Sequence, residues 1–482
     1  MPKHSPHTSL ANAKNRITQR QLSVVEPQKQ VAQALVKQNL DEKSIGYKGE
    51  ALRRLKQAQA EIGDIIKITK DAETYEGILI PRSEYGDDKH IVIKLKTGYN
   101  IGISITPTTK IEKTGAGTKP AFTAPPQPTQ KPNLPKVTII STGGTIASRV
   151  DYRTGAVRPA LTASDLYSVV PELSDIATIN AEILFSIFSE NIACKHWTEM
   201  AQNIAKHIAK GEDGVVIAHG TDTMSYTAAA LSFALQDLPV PVILVGSQRS
   251  ADRPSSDAAT NLTGAVTAAA KAPFAEVTLA MHETPSDKAI ILHRGTKVRK
   301  CHTSRRDTFK SINAEPLAKV ENGNIIMLTQ DYHERDKSRK LVLKPNFEEN
   351  VALVKFHPGF NPDVIDHFVS KGYRGIVFEG TGLGHISHQC LNSVRTAVEK
   401  GVIVAMTSQC IWGRVDMNVY DTGRDFLNTG VIPLEDMLGE TALVKLMWTL
   451  GQTKSPEEAK KLLTTNIAGE ISPRTLSETN EG

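Results

Sequence analysis

The sequence predicts an α/β chain in which two doubly wound parallel sheets follow a small β-barrel. Three observations predict it. Short runs rich in Ile, Val and Tyr crowd the stretch before residue 112. A Pro- and Gly-rich segment without apolar periodicity, "KTGAGTKPAFTAPPQPTQKPNLP", covers 113–135. From Lys136 onward, apolar runs of strand length alternate with stretches of helix length. That alternation is what a parallel sheet covered on both faces requires.

The composition fits such a fold. At 482 residues the chain exceeds one ordinary domain, and 40% hydrophobic with 23% charged residues suits a soluble globular protein. A net charge of +5 permits an RNA partner without requiring one. Four cysteines, Cys194, Cys301, Cys390 and Cys410, form no C-x-x-C pair, which argues for a reduced, cytoplasmic setting and against a disulfide framework or zinc ribbon. Met1 to Arg20 is basic and polar, unlike a signal peptide. The most apolar region, Met224 to Gly246, is interrupted by Asp237 and two prolines, so it reads as a buried helix and strand and not as a membrane span.

In chain order, residues 1–46 form a basic extension expected to be disordered. Residues 47–112 form the barrel module, with a leading helix over Gly49–Ala60. Its strands are "IIKIT", "TYEGILI", "IVIKL" and "GYNIGI", punctuated by Gly77, Gly86, Gly98 and the Asp87-Asp88 turn. Such a barrel binds RNA or serves as a packing module, and packing is the reading we favour. Residues 113–135 are a semi-extended linker. Residues 136–335 make the first α/β domain, with buried parallel strands "VTII", "GVVIAHG", "PVILVG" and "VTLAMH" and helices over His196–Lys210 and Thr223–Gln236. A polar linker, 335–350, leads to a second, smaller α/β domain over 350–470. Its last long helix is expected near Glu435–Leu450, and 471–482 reads as a flexible tail.

Ligands of open α/β sheets bind outside the carboxyl ends of the strands, so segments that follow strands carry the interest. "IISTGGTIAS", 139–148, runs a strand into Gly143-Gly144 and presents the hydroxyl of Thr145 beside free N–H groups. A threonine hydroxyl needs a base or a polarised partner to act as a nucleophile. "VVIAHGTDTM", 215–224, brings Thr221 and Asp222 to a strand end, where the plain alternative is a helix cap. "TKVRKCHTS", 296–304, carries Lys297 and Lys300, and a lysine beside Asp222 would be held by its charge. If partly desolvated, that lysine could take a proton from a threonine. Taken by spacing alone, this last segment reads as a solvated basic loop. There is no H-E-x-x-H and no G-x-x-x-x-G-K-[ST]. The nearest metal-like cluster, "HISH" at 385–388, reads as polar helix-start histidines.

Taken together, "TGGTIA" and "HGTDTM" resemble the two signature motifs of the L-asparaginase family, over roughly residues 134 to 465. The resemblance implies an asparaginase-like fold and hydrolysis of a side-chain amide without a metal. It assigns Thr145 as nucleophile, with Thr221, Asp222 and Lys300 as a supporting triad; Lys300 is preferred to Lys297 and Lys310 because "VRKCHTS" sits like the family's lysine segment. Tyr152 resembles the lid tyrosine that orients the first threonine. Ser189 resembles the serine that holds the substrate α-carboxylate, and Glu190 falls at a substrate-binding position where the family often has glutamine. Asp222 would also meet the substrate α-amine.

A plain asparaginase does not need residues 1–133. The segment from "GYKGEALRRLKQAQ" to "DDKHIVIKL" resembles the N-terminal module of the D subunits of archaeal-type glutamyl-tRNA(Gln) amidotransferases, and with "HTSRRDTFKSIN" this resemblance spans about 47 to 473. It implies a chain that takes ammonia from glutamine with no cofactor of its own. A partner E subunit, with ATP and Mg²⁺, would convert Glu-tRNA(Gln) to Gln-tRNA(Gln). A homodimer within a heterotetramer is implied likewise. Two other readings stay open at this stage: a stand-alone asparaginase or glutaminase, and a catalytically silent RNA-binding scaffold subunit.

Overall fold

The structure, a computed structural model, describes residues 46–82, 87–96, 100–116, 133–144, 146, 148–151, 156–159, 170–249 and 255–475. Thr145, Tyr152, nearly all of the basic extension, most of linker 113–135 and the tail beyond 475 lie outside the described residues.

The chain divides into two compact units, a small β unit and a large α/β unit. In the small unit a helix, α1 (Gly49–Gln57), precedes five strands: β1 (Ile65–Lys70), β2 (Glu73–Leu79), β3 (His90–Lys94), β4 (Asn100–Ser104) and β5 (Lys110–Gly115). They form one sheet in the order β4-β3-β2-β1-β5, with β1 antiparallel to both β2 and β5. Alternation in β1 turns Ile66 and Ile68 inward, as a half-buried strand demands. The Tyr47 hydroxyl donates to the Ile80 carbonyl at 2.9 Å and accepts from the Val92 N–H at 3.1 Å.

The first half of the large unit is built on an eight-stranded sheet. Its strands are β6 (Lys136–Ser141), β9 (Thr178–Ile183), β10 (Gly214–Ala218), β12 (Val242–Val245), β13 (Val277–His282), β14 (Ala289–Arg294), β17 (Ala318–Glu321) and β18 (Asn324–Met327). The order is β18-β17-β14-β13-β12-β10-β6-β9. From β9 to β13 every pairing is parallel, and β10, β12 and β13 are buried along their whole length. The sheet is mixed, however, because β14, β17 and β18 run antiparallel. The β13–β14 and β17–β18 connections are too short for a crossover helix, so the chain turns back there as hairpins, and the longer β14–β17 connection, 295–317, is occupied by a short two-stranded ladder. Side chains of β10 alternate between two cores. Val216 and Ala218 pack with α4 (Ala258–Lys271), while Val215 and Ile217 pack with α2 (Cys194–Ala209) and α3 (Met224–Ala234).

Short ladders complete this half: β7 (Ser148–Asp151) with β8 (Ala156–Pro159), β15 (Val298–Lys300) with β16 (Phe309–Ser311), and β11 (Leu235–Gln236) with β19 (Val342–Leu343). The last of these alters two expectations. Helix α3 stops at Ala234, two residues early, and the segment 335–350 is a strap instead of a free linker. The Arg335 and Arg339 guanidinium groups donate to the carbonyls of Ala270 and Leu238, each at 2.9 Å. The Trp448 indole donates to Lys344 O at 3.0 Å. Carbonyls left over near helix ends attract such cationic donors.

The second half carries a four-stranded parallel sheet: β20 (Val351–Lys355), β21 (Gly375–Gly380), β22 (Ile403–Ser408) and β23 (Ile432–Pro433). Around it lie α5 (Asp363–Ser370), α6 (Leu391–Glu399), α7 (Asp421–Asn428), α8 (Gly439–Gln452) and α9 (Pro456–Thr464). Helix α8 begins four residues later than expected, since Glu435 takes a positive φ of 54° that no helix continues. Val444 and Trp448 of α8 enter the core formed by α2 and α3, so the halves share a core. Lys297 from the first half meets Asp436 of the second at 2.7 Å, both side chains buried. Ser472 N–H donates to Asp436 at 2.9 Å, so the start of the expected tail is held down.

Candidate active site

Parallel pairing fixes where the site lies. Strands β6 and β10 are neighbours, and their register ends at Ser141 opposite Ala218. The loops that follow both strands therefore emerge side by side at the carboxyl edge. Thr142 ties them together, its N–H and its hydroxyl each 3.0 Å from the Ala218 carbonyl. Gly143 and Gly144 have φ of +123° and +75°. A Cβ on Gly143 would lie 2.0 Å from the Ile187 carbonyl oxygen, so this position has no room for any side chain. A Cβ on Gly144 would lie 3.0 Å from Gly220 N. Gly144 and the buried Ile146 bracket Thr145.

The second loop is clasped to a third segment. Ser189 is buried and opens a 3₁₀ turn, Ser189–Asn191. The Thr223 hydroxyl donates to the Ser189 carbonyl at 2.7 Å. Gly220 packs so close to Ser189 that an added Cβ would stand 2.9 Å from its Oγ. Glu190, next in the turn, is exposed. Thr223 is the N-cap residue of α3, yet its hydroxyl does not cap the helix, and the carboxylate of Asp222 turns elsewhere.

That carboxylate meets a lysine. Lys300, at the end of β15, donates from Nζ to Thr221 Oγ1 at 2.8 Å and to Asp222 Oδ1 at 2.7 Å. Lys300 is 14% exposed and Asp222 71%. The other two candidates point elsewhere: Lys297 is buried against Asp436, and Lys310 reaches Asp307 at 3.4 Å. Because the ammonium donates to Thr221 Oγ1, the hydroxyl's own proton is directed to another acceptor. The arrangement can therefore hand on a proton at the sheet edge.

The structure thus brings Thr221, Asp222 and Lys300 into contact and sets Ser189 against the glycine before Thr221. Three groups beneath this turn were not singled out by sequence reading: His219, Thr227 and Trp197. His219 alone left a trace, as a polar residue closing a fully apolar strand, which must find a partner once buried. Among the described residues no group of three or more His, Cys, Asp or Glu side chains is placed to hold a metal ion. In the "HISH" segment, His385 packs edge-on against Tyr420 while His388 approaches Asp425. All four cysteines are free. No helix among the described residues is long and apolar enough to cross a membrane.

Comparison with known proteins bears on the fold and the family. The family profile "Asparaginase, N-terminal" matches residues 136–333, "Glutaminase/Asparaginase C-terminal domain" matches 350–463, and "GatD N-terminal domain" matches 60–113. The L-asparaginase of Thermococcus kodakarensis superposes with a TM-score of 0.63 at 33% identity, covering 70% of this chain and all of its own. L-asparaginase I of Vibrio cholerae gives 0.62 at 30%, covering 70% and 99%. Fold and site together define an enzyme chain of the asparaginase class. Over 431 residues it is 52% identical to the D subunit of the glutamyl-tRNA(Gln) amidotransferase of Pyrococcus abyssi, covering 88% of this chain and 98% of that one. The corresponding subunits of Methanothermobacter thermautotrophicus and Pyrococcus furiosus are 51% and 54% identical, each covered to 98%. The chain belongs to the family of glutamyl-tRNA(Gln) amidotransferase D subunits.

Proposed function

We propose that this chain is the ammonia-generating glutaminase of a tRNA-dependent amidotransferase that converts Glu-tRNA(Gln) to Gln-tRNA(Gln). The observation that carries the reading is Lys300 Nζ lying within 2.8 Å of both Thr221 and Asp222 at the sheet edge where the Thr145 loop emerges. Thr145 Oγ attacks the side-chain amide carbon of glutamine, the C–N bond breaks, and the hydroxyl proton leaves with ammonia. Water then cleaves the acyl ester and releases glutamate. Backbone N–H groups of the loops stabilise the oxyanion. Thr221, held by Lys300 and Asp222, relays the proton. Ser189 binds the substrate α-carboxylate and Asp222 its α-amine, with Tyr152 ordering Thr145 and Glu190 beside the substrate. These roles rest on the family resemblance together with the contacts around Thr221.

The chain acts in a multi-subunit complex with tRNA. We assign ATP and Mg²⁺ to a partner E subunit and expect a heterotetramer built on a homodimer of this chain, working in the cytoplasm. The small β unit supports this reading over a stand-alone amidase, and the Lys300 contacts weigh against a silent scaffold. Ammonia release from glutamine is the test, run with the chain alone and then with the E subunit, Glu-tRNA(Gln), ATP and Mg²⁺. Release should rise sharply with the partner and yield Gln-tRNA(Gln). Thr145→Ala should abolish both outputs. Full turnover indifferent to partner and tRNA would sink the proposal.

A further inference from the structure

Beneath the Gly220–Thr221 peptide runs a one-way chain of hydrogen bonds, closed off from water. Trp197, on α2, donates from Nε1 to Thr227 Oγ1 at 3.1 Å. Thr227 Oγ1 lies 2.9 Å from His219 Nε2, and His219 Nδ1 lies 2.6 Å from the Gly220 carbonyl oxygen. His219 is 1% exposed, Thr227 is fully buried and Trp197 is 6% exposed.

The directions of these bonds are fixed by chemistry. A carbonyl oxygen only accepts, so His219 Nδ1 carries the ring proton and donates it to Gly220. In the uncharged ring Nε2 is then an acceptor and takes the Thr227 hydroxyl proton, while Thr227 accepts from the indole N–H. Burial favours the uncharged ring and pushes its pKa down to about 4. A trans peptide is planar, with its C=O and N–H on opposite sides. Pulling the Gly220 carbonyl down toward His219 therefore turns the Thr221 N–H away from the core.

We infer that His219 is a positioning residue for the amidase reaction: its Nδ1–H anchors the Gly220 carbonyl and so aims the backbone N–H and hydroxyl of Thr221 at the substrate. A buried histidine satisfied by its neighbours is ordinary core behaviour. Here the chain of donors ends on the one peptide that leads into Thr221. The same glycine is pressed from two other sides, by Gly144 and by Ser189. A peptide crowded by two neighbouring loops needs a fixed tilt, and the imidazole sets it. The inference rests on the amidase reading of the site.

The two amide replacements of histidine separate the roles of its nitrogens. Asn carries its NH₂ near the place of Nδ1, whereas Gln carries it near Nε2. In the full-length chain with its partner complex, His219→Asn should keep kcat for ammonia release within about tenfold of the parent. His219→Gln should lose about 100-fold in kcat, the scale of a misplaced oxyanion-type donor. KM should stay within about threefold in both. Equal kcat losses in the two variants, or losses confined to KM, would overturn the inference. The parent rate, measured first, separates this from the amidase reading: a parent that releases no ammonia condemns that reading. Imidazole ¹⁵N shifts of the parent chain decide the inference without turnover. An Nδ1-protonated neutral ring supports it, and an Nε2-protonated ring overturns it even if the variants fail to fold.

Discussion

Lys297 and Lys300 lie within one short segment, and each ammonium sits 2.7 Å from a carboxylate oxygen. Distance does not tell them apart; their surroundings do. Lys297 and Asp436 are 1% and 2% exposed. Asp436 also accepts the Ser472 N–H, so its capacity is spent inside the protein. Burial pushes the Lys297 pKa down while Asp436 pulls it back up. That pair clasps two halves of the fold. Asp222, by contrast, is 71% exposed and, among the described residues, keeps its other oxygen open to a ligand, while Lys300 divides its protons between a carboxylate and a hydroxyl. An ion pair with capacity left over serves chemistry, and a saturated one serves architecture.

Removing each lysine in turn should pull activity and stability apart. Lys300→Met should lower kcat for ammonia release by about 1,000-fold, within the range for a lost proton-handling group. It should leave unfolding free energy within about 1 kcal/mol, since pairs open to solvent contribute little. Lys297→Met should do the reverse. Stranding Asp436 without its partner should destabilise by about 3–5 kcal/mol, and kcat per folded molecule should stay near the parent value. Adding Asp436→Leu to Lys297→Met should recover most of that stability, because two apolar groups replace an ion pair at little net loss. If Lys297→Met instead abolished turnover at full stability, the contrast would collapse.

Milder perturbations should follow the same division. Salt at about 1 M shrinks the screening length to about 3 Å. It should raise KM for glutamine modestly through Asp222 and Lys300 while leaving the buried pair, and hence the melting temperature, nearly unchanged. Acid should act on buried groups. His219 holds a pKa of about 4 when folded, against 6.5 when free. The unfolded chain binds more protons between those values, so stability is complete above pH 6.5 and falls as pH drops toward 4. Unfolding curves of His219→Asn should slope less steeply over that window, by at most one proton. An unchanged slope would mean that the imidazole is not buried in the neutral form.

Much of this is legible in the sequence, and unequally so. Apolar runs of strand length mark β6, β10, β12 and β13 because parallel strands buried on both faces leave no alternation to misread. Thr221 and Asp222 stand out through "HGTDTM", and Lys300 through the form of its segment. What stays hidden depends on distance along the chain or on local geometry. β14 and β18 turn antiparallel through short connections, which no hydrophobic pattern records, and the 295–317 connection to β17 spends its length on the β15–β16 ladder instead of a crossover helix. The ladder of Leu235–Gln236 with Val342–Leu343 joins two residues to two others about a hundred positions away. Thr227 reads as one more small residue in a buried helix, and only its neighbours Trp197 and His219 give its hydroxyl a purpose.

The Lys297–Asp436 clasp also constrains how the protein is made. Its two residues are 139 positions apart. At ribosomal speeds of about 5–20 residues per second, the lysine waits on the order of ten seconds for its carboxylate. Through that interval the first half carries an ammonium whose native niche would leave it unpaired, which favours keeping the niche open and wet. The eight-stranded sheet is thus expected to reach its final compactness only after the second half has left the exit tunnel, so that catalytic competence arrives with the end of synthesis.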